Sequence, residues 1–349
     1  MRKVRFRPDF PILLLHNLDP SWTDSDIAHT LDEVTNLESA LHDQGHAIIN
    51  IPVRDAGLKV LLQDYDPDEV VVFNWCEGLP GVPHSEYLVV ELLEEMNFTY
   101  TGSSGSVIAL SWDKIEVKRL LRRSGIPTPK WRVYHTARAN GWRSFPAIVK
   151  PAHEHCSLGL TSEAVVATPK ELSDRIAWLI GEFQQPALVE DFIDGREFHA
   201  SLWGNGVVEM LPPAEMDFSA FEEASDRLCT YDSKFTPGSR HYDQIQLRLP
   251  APLADEEFRQ LEKTAMAAYR AIGCRDYGRV DIRLRDGVFS VLDVNPNADI
   301  SSDTSLAAAA ETAGYSYGQM LSRLVQLAAL RHPIYGNGRS ELASASLSP

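Results

Sequence analysis

The first hundred residues alternate short apolar runs with segments of helical periodicity, and this alternation limits the possible folds more than any other feature of the chain. Apolar runs at 12–15, 47–53 and 70–73 have the length of buried strands. The segments 25–45 and 86–96 have the length of helices. The first helix has its predicted apolar face at Leu31, Val34, Leu37 and Leu41. Strands that alternate with helices pair in parallel, so the sequence predicts an α/β fold that begins with a parallel sheet.

Composition and charge exclude several classes of protein. The chain has 349 residues, of which 44% are hydrophobic and 23% charged, as in ordinary globular proteins. Its net charge of −16 repels phosphate backbones, so we expect no nucleic-acid partner. The apolar run at 11–15 is too short for a signal sequence or a membrane span, and we expect no membrane partner. The four cysteines form no C-x-x-C pair, which is typical of a reducing compartment and predicts a cytoplasmic protein.

Turn-rich segments divide the chain into predicted units. The stretch 101–106, Thr-Gly-Ser-Ser-Gly-Ser, indicates the end of a first domain at 1–102. We predict a central unit at 103–189 and a C-terminal unit at 190–337. The small, polar residues 338–349 are predicted to form a flexible tail.

Local signals predict the main elements of the second and third units. A helix is expected after Ser111, its predicted N-cap, and ends at Gly125, ahead of two prolines. Strands are predicted at 147–149, 164–166 and 187–189, with a helix at 170–183. The clearest helix of the chain spans 255–272 and is followed by Gly273.

The hairpin 279–295 carries the most informative polar residues. Asp281 points away from the apolar residues that alternate with it, and Asp293 and Asn295 share a face because they are two residues apart. Two carboxylates and an amide oxygen on one surface suit Mg²⁺, a hard cation with oxygen ligands. A solvated strand face with an ion pair explains the same pattern equally well.

The turn of this hairpin determines whether the two aspartates meet. A two-residue turn at 286–287 pairs Asp281 with Leu292 and sends Asp293 to the opposite face. A three-residue loop at 286–288 pairs Asp281 with Asp293. A metal site therefore requires, on this reasoning, the longer loop.

A second polar segment follows the predicted strand at 147–149. Lys150 ends this strand, and the loop after it contains Ser157. Such a loop can offer backbone N–H groups to a phosphate while the lysine supplies charge, although a plain hairpin loop is the simpler interpretation. His153 and His155 are spaced as zinc ligands, but no further Cys/His pair lies nearby, which disfavours zinc.

Three further patterns are ambiguous by themselves. One helix face carries cationic residues at a spacing of four: Lys114, Lys118 and Arg122. Such a stripe is usually solvated. Glu190 and Glu197 could accept hydrogen bonds from an adenine amino group and ribose hydroxyls, or could simply decorate a loop. The segment 231–235 has a flexible composition with Lys234 near its centre.

The order of these segments is more specific than any one of them. They run Asp113-Lys114, Val149-Lys150-Pro151, Val189-Glu190 with Gly195-Arg196-Glu197, Tyr231-Asp232-Ser233-Lys234, Arg279-Val280-Asp281 and Leu292-Asp293-Val294-Asn295. This order resembles the ATP-grasp superfamily, and most closely its D-alanine–D-alanine ligase group, over about residues 97–329. The resemblance implies a three-domain ATP-grasp fold with an N-terminal Rossmann-like domain. It also implies an ATP-dependent carboxylate–amine ligase, which forms an amide through an acyl phosphate and releases ADP and phosphate.

The resemblance implies how ATP and its phosphates are bound. Lys114 and Lys150 would hold the α- and β-phosphates, and Lys234 would reach the γ-phosphate. The loop at Ser157 would close over them. These residues include two of the three that the resemblance implies for catalysis, Lys234 and Ser157.

The resemblance also assigns the base, the sugar and the metal. Its implied ligands are Glu190 and the backbone near Ile193 for adenine, Glu197 for ribose, and Asp281, Asp293 and Asn295 for two Mg²⁺ ions, with Mn²⁺ as a substitute. Arg279, the third implied catalytic residue, would stabilise the charge of the tetrahedral intermediate.

Departures from the family pattern fall at the amino-acid subsite. Asp293 stands where the family has Glu. Cys156 and Phe235 stand where dipeptide-forming members have Ser and Tyr, and the segment that carries their N-terminal Glu is missing. The segment that leads to Ser305, which should meet the acceptor carboxylate, is one residue longer. We therefore expect small-molecule carboxylate and amine substrates, such as amino acids, other than two D-alanines.

Two other functions fit the same residues. The chain could be an ATP-binding regulatory protein with decayed catalysis, or a ligase that acts on a protein or carrier terminus. Glu77, near the expected first subsite, is a candidate partner for a substrate amino group. Family analogy adds a homodimer formed through the N-terminal unit.

Overall fold

A computed structural model of the chain describes residues 10–138, 140–155 and 157–336, and these residues form three sheets. The predicted tail at 338–349 and the candidate substrate residue Cys156 lie outside the described residues. The first sheet contains β1 (Ile12–Asn17), β2 (Ile48–Val53), β3 (Val71–Trp75) and β4 (Thr99–Tyr100). Their order is β2-β1-β3-β4, and every pair is parallel. The predicted parallel sheet is confirmed.

Helices α1 (Asp24–Asp43), α2 (Leu58–Leu62) and α3 (Glu86–Glu95) connect these strands. Thr23 and Asp26 form a capping box at the start of α1. Val34, Leu37 and Leu41 of α1 are buried as expected. Leu31 is 42% exposed, so its assignment to the apolar face was wrong. The α1 stripe that packs on the sheet begins one turn later.

A pair of short helices, α4 (Gly105–Trp112) and α5 (Lys114–Arg123), follows the first sheet. The prediction of Ser111 as the N-cap was wrong, because Ser111 lies inside α4 and donates its hydroxyl to the Ile108 carbonyl. Asp113 caps α5 instead, and its carboxylate accepts from the backbone N–H groups of the second and third helical residues at 3.0 Å each. This cap determines the direction in which the side chains of α5 project.

The second sheet is antiparallel and has the order β5-β8-β6-β7. Its strands are β5 (Trp131–Tyr134), β6 (Ala147–Pro151), β7 (Val165–Val166) and β8 (Ala187–Asp191), and α6 (Pro169–Phe183) packs on it. In this register Ile148 of β6 lies opposite Glu190 of β8, so Lys150 and Glu190 project from the same face. The predicted unit boundary at 189 falls inside β8.

The third sheet has the order β12-β11-β9-β13-β14, and β10 pairs with β9. Its strands are β9 (Arg196–Trp203), β10 (Glu209–Met210), β11 (Ala214–Asp217), β12 (Gln246–Arg248), β13 (Tyr277–Arg285) and β14 (Val288–Asn295). The other helices are α7 (Asp232–Phe235), α8 (Arg240–Gln244), α9 (Asp255–Ile272), α10 (Ser305–Thr312) and α11 (Tyr317–Ala329). Helix α9 has its predicted bounds and packs on the sheet. Helices α10 and α11 share a core with β1, β3 and α1, which holds the first sheet against the third.

The hairpin β13–β14 reaches the predicted pairing by an unpredicted route. Its turn is the short one, Asp286-Gly287, with φ of +53° and +75°. The register then shifts between Ile282 and Asp281, so Asp281 still pairs with Asp293. A β-bulge at Leu292 takes up the extra residue. The expectation that a two-residue turn would separate the aspartates was therefore wrong.

None of the helices in the described ranges combines the length and the apolar character that crossing a membrane requires.

Candidate active site

A solvent-open cleft lies between the second and third sheets. Its volume is about 940 Å³, including the solvent space at its mouth. The residues predicted for nucleotide, metal and catalysis all line it: Lys114, Lys150, Ser157, Glu190, Ile193, Glu197, Lys234, Arg279, Asp281, Asp293 and Asn295. They come from three β-strands of one sheet, two of the other, the start of α5, helix α7 and two loops. The fold therefore collects residues that are up to 181 positions apart in the sequence.

Glu190 lies between two lysines at the closed end of this cleft. Lys118 approaches one carboxylate oxygen at 2.7 Å, and Lys150 forms an ion pair with the other. Burial works against the charge of Glu190, but the two ammonium groups hold its pKa below the usual range. A carboxylate oxygen has more than one lone pair, so each Glu190 oxygen can accept a further hydrogen bond beside its ion pair with a lysine.

Lys118 is the residue whose role the sequence analysis missed. Its cationic stripe was expected to be solvated, but Lys118 is 1% exposed, and burial lowers its pKa. Its ammonium group also donates to the carbonyls of Val291 and Leu292, at 3.2 and 2.9 Å. Lys118 thus supplies donors to the β-bulge and a charge to Glu190. The four-residue spacing from Lys114 was the available signal, but spacing alone does not reveal which turn of the helix is covered.

Lys114 and Lys150 both face Asp293, a predicted metal ligand on β14. The Lys114 ammonium group lies 3.8 Å from an oxygen of Asp293 and donates to the carbonyl of Glu154. Desolvation of Lys150 is outweighed by Glu190 and Asp293, which raise its pKa, so it carries a charge. Two cations next to acidic ligands form the mixed environment that a triphosphate with a divalent cation requires.

Arg283 organises the sugar and base end of the cleft. It is 3% exposed and donates to Glu197 Oε2 at 2.6 Å and to the Ile193 carbonyl at 2.7 Å. Its guanidinium group also lies over the ring of Phe192, 4.8 Å from the centroid. The carbonyl of Ile193 is therefore occupied. Alternation with Asp281 along β13 places Arg283 on the site face, and this was the signal in the sequence.

The three predicted metal ligands, Asp281, Asp293 and Asn295, lie side by side on the hairpin β13–β14. Arg279 donates to both oxygens of Asp281, at 2.7 and 3.0 Å, and Asn295 Nδ2 donates to Asp281 Oδ2 at 3.1 Å. Burial opposes the charge of Asp281, but Arg279 and His199 lower its pKa below the usual range, so it is ionised. Ionised Asp281, Asp293 and the Asn295 amide supply the oxygen donors that Mg²⁺ prefers, and this donor set fits the metal.

His199 of β9 lies between the sugar and metal ends. Its Nε2 is 3.9 Å from Glu197 Oε1 and 3.9 Å from Asp281 Oδ1. Burial lowers its pKa to about 4, so the ring is neutral at pH 7. Among the described residues, Glu197, His199 and Cys229 form the group of potential metal ligands whose atoms all lie within 4.8 Å of one another. His153 and His155 do not belong to this group; the His155 ring packs on Trp112.

Two loops form the open side of the cleft. Ser157 has a φ of +59°, and its hydroxyl donates to the Cys229 carbonyl at 3.2 Å. Tyr231 N–H donates to the Leu160 carbonyl at 3.3 Å, which ties the loop that follows Lys150 to the segment that carries Lys234. Lys234 is exposed and lies in α7. Both predicted phosphate-contacting loops therefore lie together at the cleft mouth.

An acidic group lies where the first sheet meets the loop after β14. Glu77 follows β3 and its side chain is exposed, but the loss of hydration next to the surrounding protein, together with Asp299 and Glu86, raises its pKa to about 7. Glu86 accepts from Trp112 Nε1 at 2.8 Å and from Asn297 Nδ2 at 2.7 Å. Asn297 is two residues beyond Asn295, so this group adjoins the metal-type hairpin.

Two other substrate candidates, Ser305 and Phe235, are helix residues, and Ser305 does not line the cleft. Ser305 is the first residue of α10, after Thr304, whose side chain caps that helix. Phe235 is the last residue of α7, next to Lys234. The sequence prediction that they contact substrate stays a prediction.

Comparison with known proteins identifies the family. The family model described as D-ala D-ala ligase C-terminus matches residues 120–326. The chain belongs to the D-alanine–D-alanine ligase family. "Uncharacterized protein y4sG" of Sinorhizobium fredii is 34% identical over 312 residues, covering 87% of this chain and 88% of that protein. A D-alanine–D-alanine ligase of a Marinomonas species is 33% identical over 257 residues, covering 71% and 75%.

Solved structures of this ligase family have the same fold. The D-alanine–D-alanine ligase of Bacillus anthracis complexed with ATP matches with a TM-score of 0.68 and 20% identity, covering 95% of this chain and 99% of that one. A second structure of that ligase matches with a TM-score of 0.70 and 19% identity. The predicted ATP-grasp fold is therefore confirmed, and the chain is a divergent member of a ligase family.

Proposed function

We propose that this protein is an ATP-dependent carboxylate–amine ligase that forms an amide bond through an acyl phosphate. The observation that carries the proposal is the convergence of Lys114 and Lys150 with Asp281, Asp293 and Asn295 in one cleft. Opposed cations and acidic oxygen ligands match a triphosphate and its divalent cation better than either partner alone. Membership of a ligase family supports the same reaction class.

ATP would lie with its base at Glu190 and its phosphates toward the hairpin. The free lone pairs of Glu190 suit the adenine amino group, and Glu197, held by Arg283, suits the ribose hydroxyls. Lys114 and Lys150 would neutralise phosphate charge, and Lys234 would approach the γ-phosphate from the cleft mouth. In this arrangement Ile193 contributes its side chain and N–H, because Arg283 holds its carbonyl.

Asp281, Asp293 and Asn295 would hold Mg²⁺, in two ions as the family resemblance implies, and Mn²⁺ should substitute. When bound, the metal neutralises charge on the transferring phosphoryl group. Asp293 lacks one methylene of the glutamate that the family has at this position, which shortens its reach. Its oxygen lies 3.8 Å from the Lys114 ammonium group, so the two side chains act on the same phosphate region.

The protein residues supply positioning and charge for two chemical steps. A substrate carboxylate oxygen attacks the γ-phosphate, and ADP leaves, which requires little beyond alignment and charge neutralisation. A neutral amine then attacks the acyl phosphate carbonyl, and Arg279 stabilises the oxyanion. The carbon–oxygen bond to phosphate breaks, and the proton lost by the amine balances on the departing phosphate. The loops at Ser157 and Lys234 would exclude water that could hydrolyse the acyl phosphate.

A phosphate-release screen tests this proposal. Amino acids and small carboxylates are paired with amines in the presence of ATP and Mg²⁺, and products are identified by mass spectrometry. We expect phosphate release that depends on ATP, on the metal and on one carboxylate–amine combination. Omitting the amine is the matched control, because only the complete mixture should yield an amide.

Other outcomes of the screen would favour other functions. If D-alanine with D-alanine were the best pair, the proposed difference in substrates would be wrong. Tight ATP binding without turnover would favour a regulatory protein. Turnover that required a protein or carrier terminus would favour the second alternative.

We propose that Glu77 binds an ammonium group of a substrate. Its carboxylate has Glu86 and Asp299 as neighbours, and excess negative charge in one place favours a cationic group. Cys156, Phe235 and Ser305 would shape the remaining amino-acid subsite. A homodimer through the N-terminal unit and a cytoplasmic location also belong to this proposal.

Glu77→Gln should raise the KM of the first substrate, whose ammonium group is not the nucleophile, at least about tenfold at pH 8 and leave kcat within about threefold, since a hydrogen-bonded charge pair contributes about 1.5–3 kcal/mol. The pKa of Glu77 is raised to about 7, so its charge is present above pH 7 and absent below it. The KM of wild-type protein should therefore fall as pH rises from 6 to 8, and the variant should lose this dependence. Steady-state kinetics of the pair found in the screen measure both effects. Glu95→Gln, on exposed α3 surface, is the control; an unchanged KM in Glu77→Gln would contradict the role.

A further inference from the structure

His199 is a buried polar residue of the cleft that has no role in the proposed ligase reaction. It is 7% exposed, and its Nδ1 has no hydrogen-bond partner among the described residues. It lies directly opposite Asp281 in the pairing of β9 with β13. Its other ring nitrogen, Nε2, lies 3.9 Å from Asp281 Oδ1, just beyond hydrogen-bond distance, so a small movement would give this buried group a partner.

The hydrogen bonds of Asp281 indicate what that partner is. Arg279 donates to both of its oxygens, so a cation bound to Asp281 competes with the guanidinium group for the same negative charge. An oxygen that Arg279 releases inside this buried site needs another donor, because leaving it without one costs about 1–3 kcal/mol. Asn295 already donates to Oδ2. His199 Nε2 lies 3.9 Å from Asp281 Oδ1 and 3.9 Å from Glu197 Oε1. Arg283 already donates to the Glu197 carboxylate, so Asp281 is the group that would need this donor.

We propose that His199 is a positioning residue that donates a hydrogen bond to Asp281 in place of Arg279 when the metal binds. This inference rests on the proposed function. His199 Nε2 would close from 3.9 Å to a hydrogen bond of about 2.9 Å with Asp281 Oδ1. The carboxylate then stays aimed at the metal position. Arg279 is released at the same time, which makes its guanidinium group available to the oxyanion of the reacting carbonyl. His199 thereby couples metal loading to the freeing of Arg279.

The same histidine also belongs to the group formed with Glu197 and Cys229, whose donor atoms would suit zinc. The surroundings argue against that site. Arg283 holds one oxygen of Glu197 at 2.6 Å, and burial together with Glu197 raises the pKa of the Cys229 thiol. Zinc binds the thiolate, so a thiol that stays protonated disfavours a zinc site here.

Manganese binding tests the proposal without relying on turnover. Free Mn²⁺ is followed by electron paramagnetic resonance while it is titrated into protein saturated with a non-hydrolysable ATP analogue. His199→Ala should weaken Mn²⁺ binding about tenfold, which is the usual effect of losing an outer hydrogen bond to a metal ligand. His199→Gln can still offer an N–H donor and should stay within about threefold of wild type. Affinity for the analogue in EDTA should not change in either variant.

Controls separate this role from packing and from the other interpretations. Ser201 lies two residues from His199 on the same face of β9, and its buried hydroxyl, like His199 Nδ1, has no hydrogen-bond partner among the described residues. Ser201→Ala should leave Mn²⁺ affinity unchanged. Thermal unfolding checks each variant, and His199→Met, of similar length but without a donor, replaces His199→Ala should that variant not fold. Wild-type Mn²⁺ affinity in His199→Ala or His199→Met would overturn the inference, as would a loss of analogue affinity in EDTA, which would place His199 with the ribose.

Two further results would also overturn it. Stoichiometric Zn²⁺ binding to the nucleotide-free protein, lost equally in His199→Ala and Cys229→Ser, would assign His199 to a zinc site. Wild-type protein that bound no Mn²⁺ in the presence of the analogue would remove the proposed function as well. The two failures are distinguishable, because the inference alone fails when wild type binds Mn²⁺ and the histidine variants bind it equally well.

Discussion

Asp281→Asn should reduce ATP-dependent phosphate release at least about a thousandfold, which corresponds to about 4 kcal/mol of lost transition-state stabilisation. Asparagine keeps the shape of the side chain but removes the negative charge that the cation requires. Its amide would also present a donor in place of one of the two oxygens that now accept from Arg279. Steady-state phosphate release and Mn²⁺ titration both measure the effect, and both should show loss of the metal.

The matched control is Asp286→Asn, in the exposed turn of the same hairpin, which should retain wild-type turnover. Thermal unfolding of Asp281→Asn must accompany the kinetics, since Arg279 loses its ionic partner. A folded Asp281→Asn protein that kept its activity within tenfold would contradict the proposed metal site and, with it, the ligase mechanism.

Glu190→Gln should lower the free energy of unfolding by about 3–5 kcal/mol, because it leaves two buried ammonium groups facing each other without a counter-charge. Lys118 and Lys150 both pair with this carboxylate, which is 1% exposed. Urea unfolding at pH 7, followed by circular dichroism, measures the loss.

A double variant separates charge from packing. Adding Lys118→Met to Glu190→Gln removes one of the two unpaired charges and should recover part of the stability. Recovery should be incomplete, because the carbonyls of Val291 and Leu292 lose their donor. Glu182→Gln, on the exposed side of α6, should change stability by less than about 0.5 kcal/mol. A loss below 1 kcal/mol in Glu190→Gln would show that the lysines find other partners.

The elements of the fold could be predicted where their signals are local. The parallel strands β1 and β3 contain the continuous apolar runs 12–15 and 71–73, and α9 has an amphipathic face that ends at Gly273, where φ is +91°. Helix caps were less certain: Ser111 and Asp113 both have capping side chains, and only the packing of α4 shows that Asp113 begins a new helix.

The site could be predicted in its membership but not in its arrangement. Residue type and order along the chain were sufficient to select the lysines, Glu190 and the acidic hairpin. The partners Lys118, Arg283 and His199 were missed or left without a role, because each acts through residues far away in the sequence. Burial of a charged side chain becomes visible only when the element that covers it is in place.

The hairpin β13–β14 shows where local information ends. Alternation along each strand is a property of the backbone, so the face that Asp281 shares with Arg279 and Arg283 follows from sequence spacing. The pairing of Asp281 with Asp293 does not, because it depends on a bulge at Leu292. That bulge leaves backbone carbonyls to be satisfied, and Lys118 of a distant helix satisfies them. The sequence alone therefore specifies which chemical groups the site contains and which strand face carries them. The strand register and the pairing of buried charges depend on contacts between distant units, so they are established only in the folded structure.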